Sequence, residues 1–199
     1  MCKLSLSLLA AVILISLLVA IDTTRLYTSS LAPAFFGIAY STVYNINNFL
    51  TYYDPILGIR IEYPAGWTHE LHPGSLVTFL ASSEGSSNTY PAGLGLKVQN
   101  LAYKNISLNE ITKVQIKNLT ENHPDFKLIE SSESILAGNI AHKIVFNATD
   151  NKGNERTSMQ IWTLIDSKAY IITYKAEPEN YTKYLPIIIK MIDSFHIVK

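Results

Sequence analysis

Two imidazoles and a carboxylate stand within four residues at His69-Glu70-Leu71-His72. Zinc and copper accept such ligands, and neutral imidazoles holding an ion while a carboxylate activates water is the chemistry of a metal-assisted hydrolase. Asp54 is a further carboxylate that a fold could bring near. The spacing is not that of the H-E-x-x-H helix, because the second histidine comes three positions after the first and Pro73 stops a helix from continuing. A solvated loop is therefore the simpler reading of His69, Glu70 and His72. A site for a divalent metal ion, the only cofactor the sequence suggests, is the sharper one.

The rest of the chain offers less chemistry. Its single cysteine is Cys2, so the body of the protein has no thiol to attack a substrate, ligate zinc or form a disulfide. Gly93-Leu94-Gly95 is too short for a dinucleotide or phosphate loop, and no G-x-S-x-G elbow occurs. Asp150-Asn151-Lys152-Gly153-Asn154-Glu155 has a lysine at the third ligand position of a would-be calcium loop and reads as a hairpin turn. His142 falls within a strand pattern and His196 follows the last helix, so both read as structural or exposed. No nucleophile is paired with a recognisable base, which points to a non-enzymatic protein. Lys+Arg and Asp+Glu are both 16, which removes any electrostatic drive toward nucleic acid. Asn105, Asn118, Asn147 and Asn180 each open an N-x-S/T triplet without proline. They are glycosylation candidates that would need exposed positions and an outer-surface address.

These residues must be held by the elements that the patterning predicts. In Gly58-Ile59-Arg60-Ile61-Glu62-Tyr63-Pro64-Ala65-Gly66-Trp67, Ile59, Ile61 and Tyr63 share one face of a strand and Arg60 and Glu62 the other. Tyr63-Pro64-Ala65-Gly66 fits a type I turn with proline second and glycine fourth, after which Trp67 folds back on the apolar face; all four of Tyr63, Pro64, Gly66 and Trp67 read as scaffold. Leu76 to Leu80 and Leu94 to Val98 have strand character. Ser107-Leu108-Asn109-Glu110 is a capping box that starts a helix ending at His123-Pro124. From Phe126 to Ala176, four runs separated by short Gly, Asn and Asp turns predict an antiparallel meander. Tyr181, Tyr184, Leu185, Ile188, Ile192 and Phe195 follow helical spacing, with Pro186 either kinking that helix or opening its main part. The sum is an α+β fold: one antiparallel sheet flanked by helices.

At the front, Lys3 precedes an apolar run from Leu4 to Ile21 that Asp22 closes. Its roughly 18 residues would reach about 27 Å as a helix against a hydrocarbon core of about 30 Å, longer than the 7–15 residues of an ordinary signal. Residues 1–24 thus form one hydrophobic helix, a signal or membrane anchor, with the start inside and the remainder outside. Poor cleavage geometry favours an anchored, extracytoplasmic protein; cleavage would make it secreted. Residues 25–49 form an aromatic, Ser/Asn-rich linker, whose rings suit a headgroup zone or a plain tether. Residues 50–199 form the domain.

Four pieces in order, GIRIEYPAGW, AGNIAHKIVF, AYIITYKAEPENYTKYL and the closing IDSFHI, resemble the PsbP-like domain family from about Tyr53 to Val198. The resemblance implies an antiparallel sheet between helices, an α/β/α sandwich. PsbP itself is an extrinsic, non-catalytic subunit of the water-oxidising photosystem, and similar domains occur in secreted and anchored microbial proteins. With a membrane segment and aromatic tether in place of a transit peptide and plant-type arm, the photosystem role does not carry over. What the resemblance and the leader together imply is a membrane-tethered binding or complex-stabilising module whose partner is another membrane or surface protein.

Overall fold

The computed structural model describes residues 48–72, 77–82, 91–101 and 106–198. The expected leader helix, the linker up to residue 47 and Asn105 lie outside the described residues. Among the described residues no helix is long and apolar enough to cross a membrane.

The sequence predicts one sheet, and the chain builds two. The smaller has three antiparallel strands in the order β1 (Phe49–Asp54), β2 (Ile59–Pro64) and β10 (His196–Ile197). Strand β2 alternates as expected, with Ile59 and Ile61 fully buried and Arg60 exposed. Its first partner, β1, lies where the sequence offers no alternation, and Lys190 Nζ sits 3.9 Å from the centre of the Phe49 ring, a cation–π contact that ties β1 to the last helix. Gly58 turns the chain between them at φ +61°. A Cβ at that position would stand 2.2 Å from the Val198 carbonyl oxygen, so both the backbone angle and the close approach require glycine.

The turn after β2 sits one residue later than predicted. Trp67 N–H donates to the Pro64 carbonyl at 2.9 Å, which makes Pro64 the first residue of the turn instead of the second. Pro64 is tolerated as the last residue of β2 because β10 reaches only as far as Arg60, leaving no neighbour on that side that needs its missing N–H. Trp67 is 6% exposed and meets Tyr184 edge-on with ring centres 6.1 Å apart.

The larger sheet has seven antiparallel strands in the order β3 (Thr68–Glu70), β4 (Val77–Leu80), β5 (Gly93–Asn100), β9 (Lys168–Ala176), β8 (Glu155–Ile165), β7 (Asn139–Thr149), β6 (Lys127–Leu136). The meander β6 to β9 forms as the sequence predicts. Its two tightest loops, Ala137-Gly138 and Asp166-Ser167, have positive φ throughout, the geometry that matches the strand twist of a hairpin. A capped helix, α1 (Leu108–Asn122), lies over one face: Glu110 N–H donates to Ser107 Oγ and Ser107 N–H to Glu110 Oε2. Its Ile111 joins Ile144, Phe146, Ala148, Trp162 and Ile171 of the sheet in a buried cluster, and Trp162 Nε1 donates to Thr112 Oγ1 at 3.1 Å. The opposite face packs against α2 (Pro178–Asp193), whose Tyr184, Ile187, Ile188 and Met191 are buried. Pro178, at the start of α2, takes the role the sequence offers to Pro186; Pro186 lies within the helix, so the Thr182 carbonyl lacks an N–H partner four residues on.

Candidate functional site

The His69–His72 segment is partly strand. His69 and Glu70 belong to β3, and adjacent strand residues point to opposite faces. His69 joins a ring cluster with Tyr52, Tyr63 and Phe79, at centroid separations of 5.7, 5.4 and 6.2 Å. Glu70 turns the other way, where its Oε2 lies 3.2 Å from His72 Nε2. Asp54 is committed elsewhere: its Oδ1 accepts the Ile56 and Leu57 N–H groups in a turn. The structure thus pairs Glu70 with His72 and parts them from His69. Among the described residues no three of His, Cys, Asp or Glu gather closely enough to hold a metal ion.

The Asp150–Glu155 loop is a closed hairpin turn. Asp150 Oδ1 accepts the N–H groups of Lys152 and Asn154 at 2.9 and 3.0 Å, while Oδ2 takes Arg156 Nη2 at 3.1 Å. The backbone N–H of Asn154, followed by further hydrogen bonds that include Arg156, holds the Asp150 carboxyl well below the usual carboxylate range. Arg156 is buried, and its Nη1 lies 3.3 Å from Glu177 Oε1 at the start of α2. Beside it, burial lowers the Lys175 pKa and Arg156 lowers it further, against the pull of Asp150.

Helix α1 covers only part of its face of the sheet. Beyond it lies a groove of about 300 Å³. Strand pairing sets its floor in rows: Leu80, Gly93 and Lys175 side by side, then Thr78, Gly95, Thr173 and Gln160, then Lys97 and Ile171. Gln115 of α1 closes one wall. Under α1 the floor is apolar; in the groove polar groups are mixed with Leu80, Pro91 and Ile171, and the two glycines leave bare backbone. The alternation Gly93-Leu94-Gly95-Leu96-Lys97 carries the signal for this groove, since glycines two apart strip one face of a strand of side chains. Testing those glycines only as a phosphate loop hides it.

The far edge of the sheet is different again. Strand β6 pairs with β7 on one side, and among the described residues nothing pairs with its other side. Ile135 and Ile140 face each other across the β6–β7 hairpin and are 63% and 70% exposed; Ile129, at a bulge in β6, is 56% exposed. The middle of β6 is polar: Glu130 pairs with Lys143 at 2.8 Å, and Ser131 Oγ meets His142 Nε2 at 2.8 Å. His142 thus sits on the strand as the sequence reads it, its ring 5.5 Å from that of Trp162.

Of the glycosylation candidates, Asn118 is exposed on α1. Asn147 and Asn180 are half-buried: Asn147 Oδ1 accepts from Thr157 Oγ1, and Asn180 Nδ2 donates to Glu177 Oε2. Asn105 lies outside the described residues.

The described residues form an antiparallel α+β fold of two sheets and two helices, with one face of the larger sheet only part-covered. The family model described as PsbP-like protein matches residues 8–197, and the chain belongs to that family. No curated protein sequence matches it. Among solved structures it is similar to the cyanobacterial PsbP (CyanoP) of Synechocystis sp. PCC 6803, with TM-score 0.58 and 15% identity over 75% of this chain and 92% of that one. LpqN of Mycobacterium tuberculosis, involved in cell envelope biogenesis, gives 0.58 and 15% over 76% and 91%. The Ran-binding protein Mog1p of Saccharomyces cerevisiae gives 0.53 and 10% over 76% and 96%. At these identities the likeness is one of fold.

Proposed function

We propose that this protein is a membrane-tethered, extracytoplasmic, non-enzymatic module that steadies another membrane or surface protein by accepting one of its strands alongside β6. The observation that carries the reading is the outer edge of a ten-residue strand, β6, unpaired among the described residues and flanked by exposed Ile129, Ile135 and Ile140. Backbone groups on such an edge supply affinity to an incoming strand, and apolar side chains at the two ends select its register. Lys127, Glu130, Glu133 and the bulge at Ile129 oppose indiscriminate edge pairing, which leaves the site to a matched partner. The apolar leader supports the tether, and an outer address agrees with the cell-envelope role stated for LpqN. Protein binding by this fold has a precedent in the Ran-binding Mog1p.

Chemical cross-linking in native membranes followed by purification tests the reading. The wild-type chain is expected to bring down a defined partner, and Ile135→Lys combined with Ile140→Lys to lose it while the purified variant keeps its native circular dichroism. Recovery of the protein alone, or a partner indifferent to the variant, would contradict it.

A further inference from the structure

The groove beside α1 has features that its own packing does not explain. A Cβ at Gly93 would crowd Leu80 Cδ2 at 2.9 Å and the Phe79 carbonyl oxygen at 3.1 Å, so its neighbours would have to give way. Gly95 is under no such constraint: a Cβ would meet Thr78 Oγ1 at 3.7 Å and the Thr173 carbonyl oxygen at 3.9 Å, which are ordinary contacts, and its backbone is extended. The fold would accept a side chain at Gly95, and what its absence preserves is the space above the floor. Next to that space, the Gln160 amide nitrogen donates to Thr173 Oγ1 at 3.1 Å, which leaves the Thr173 hydroxyl hydrogen to donate.

The charges have one sign. Lys97 and Lys175 lie in the rows on either side of Gly95 and Thr173, and among the described residues no carboxylate lines the groove. The neutral groups around them are amides and hydroxyls, Thr78, Thr173, Gln99 and Gln115 among them, each able to donate and accept. The volume, about 300 Å³, matches a single sugar ring and stands at the low end for ligand sites.

We propose that this groove binds a small acidic sugar, a hydroxyl-bearing ring with one carboxylate or phosphate, whose anion lies between Lys97 and Lys175 and whose ring hydroxyls bond to the Thr78 and Thr173 side chains. The ring rests on the bare backbone at Gly95, with Leu80 and Ile171 against its apolar edges. The anion also relieves Lys175, whose charged form is disfavoured by the protein around it. A free monosaccharide and a terminal unit of an acidic surface polymer present the same groups. This site is separate from the β6 edge and stands or falls independently of the docking reading.

Titration calorimetry of the full-length, detergent-solubilised protein at low ionic strength tests the proposal with galacturonate, galacturonate trimer and neutral galactose as probes. Galacturonate is expected to bind in the millimolar range or tighter and galactose at least about tenfold more weakly, as loss of a charge-assisted contact implies. A trimer that binds more tightly than the monomer assigns the site to a polymer, and equal binding assigns it to the free sugar. Gly95→Leu, which fills the groove, should abolish binding, and Lys97→Gln with Lys175→Gln should erase the preference for the acidic sugar. No binding of either acidic probe overturns the proposal, as does equal affinity for galactose. Unchanged binding by a folded Gly95→Leu, or by the double lysine variant should Gly95→Leu not fold, overturns it too.

Discussion

Arg156 joins two parts of the chain that are distant in sequence. It holds Asp150 in the β7–β8 turn and reaches Glu177 at the start of α2, and its own side chain is almost out of water. Removing one partner from a buried charge set strands the others, so Arg156→Ala should destabilise the domain by about 3–5 kcal/mol in chemical denaturation. The same cluster sets an acid limit. The Asp150 carboxyl has a pKa below its unfolded value, so its contribution is fully present above the ordinary carboxylate range and is lost as pH falls through and below about pH 4. Asp150→Asn, which removes the titrating group, should flatten the decline of stability over that interval in denaturation curves taken across pH. Gly58→Ala should cost about 1–3 kcal/mol by the same measurement, because positive φ and the Val198 carbonyl both oppose a Cβ. At this scale the sequence is partly legible. Asp150–Glu155 reads correctly as a hairpin turn because aspartate, asparagine and glycine act through local backbone. Arg156 is silent because Glu177 comes to it only through the whole β8–β9 hairpin. For the same reason His69, Glu70 and His72 look like one ligand set in sequence, whereas strand alternation sends His69 into the rings and leaves Glu70 with His72.

Elements whose signal is local could be read ahead of the structure. The capping box at Ser107 and Glu110 forms as spaced, and Ser107→Ala should lower stability by about 1 kcal/mol through loss of an N-cap, seen as a lower denaturant midpoint with an unchanged slope. The meander follows from its turn residues, and the last helix from its apolar spacing. What escaped is what depends on distant partners. Strand β1 has no alternation of its own and is held by β2 and by Lys190 over Phe49. The single expected sheet becomes two because Pro64 ends β2 and the chain re-enters as β3 in another sheet. The groove follows from Gly93 and Gly95, legible only once β5 is known to lie inside a sheet between β4 and β9.

Among its described residues, this member of the PsbP-like family leaves uncovered a groove beside α1 and the outer edge of β6. The docking role rests on the second. An unpaired edge exchanges its outward amide hydrogens with solvent, and a strand laid against it protects them. The central measurement is therefore hydrogen exchange of the β6 backbone, residues 128–136, compared between the purified protein and the protein in its native membrane. The account predicts strong protection gained in β6 in the membrane, with β8 equally protected in both settings. Equal exchange of β6 in the two settings would contradict it.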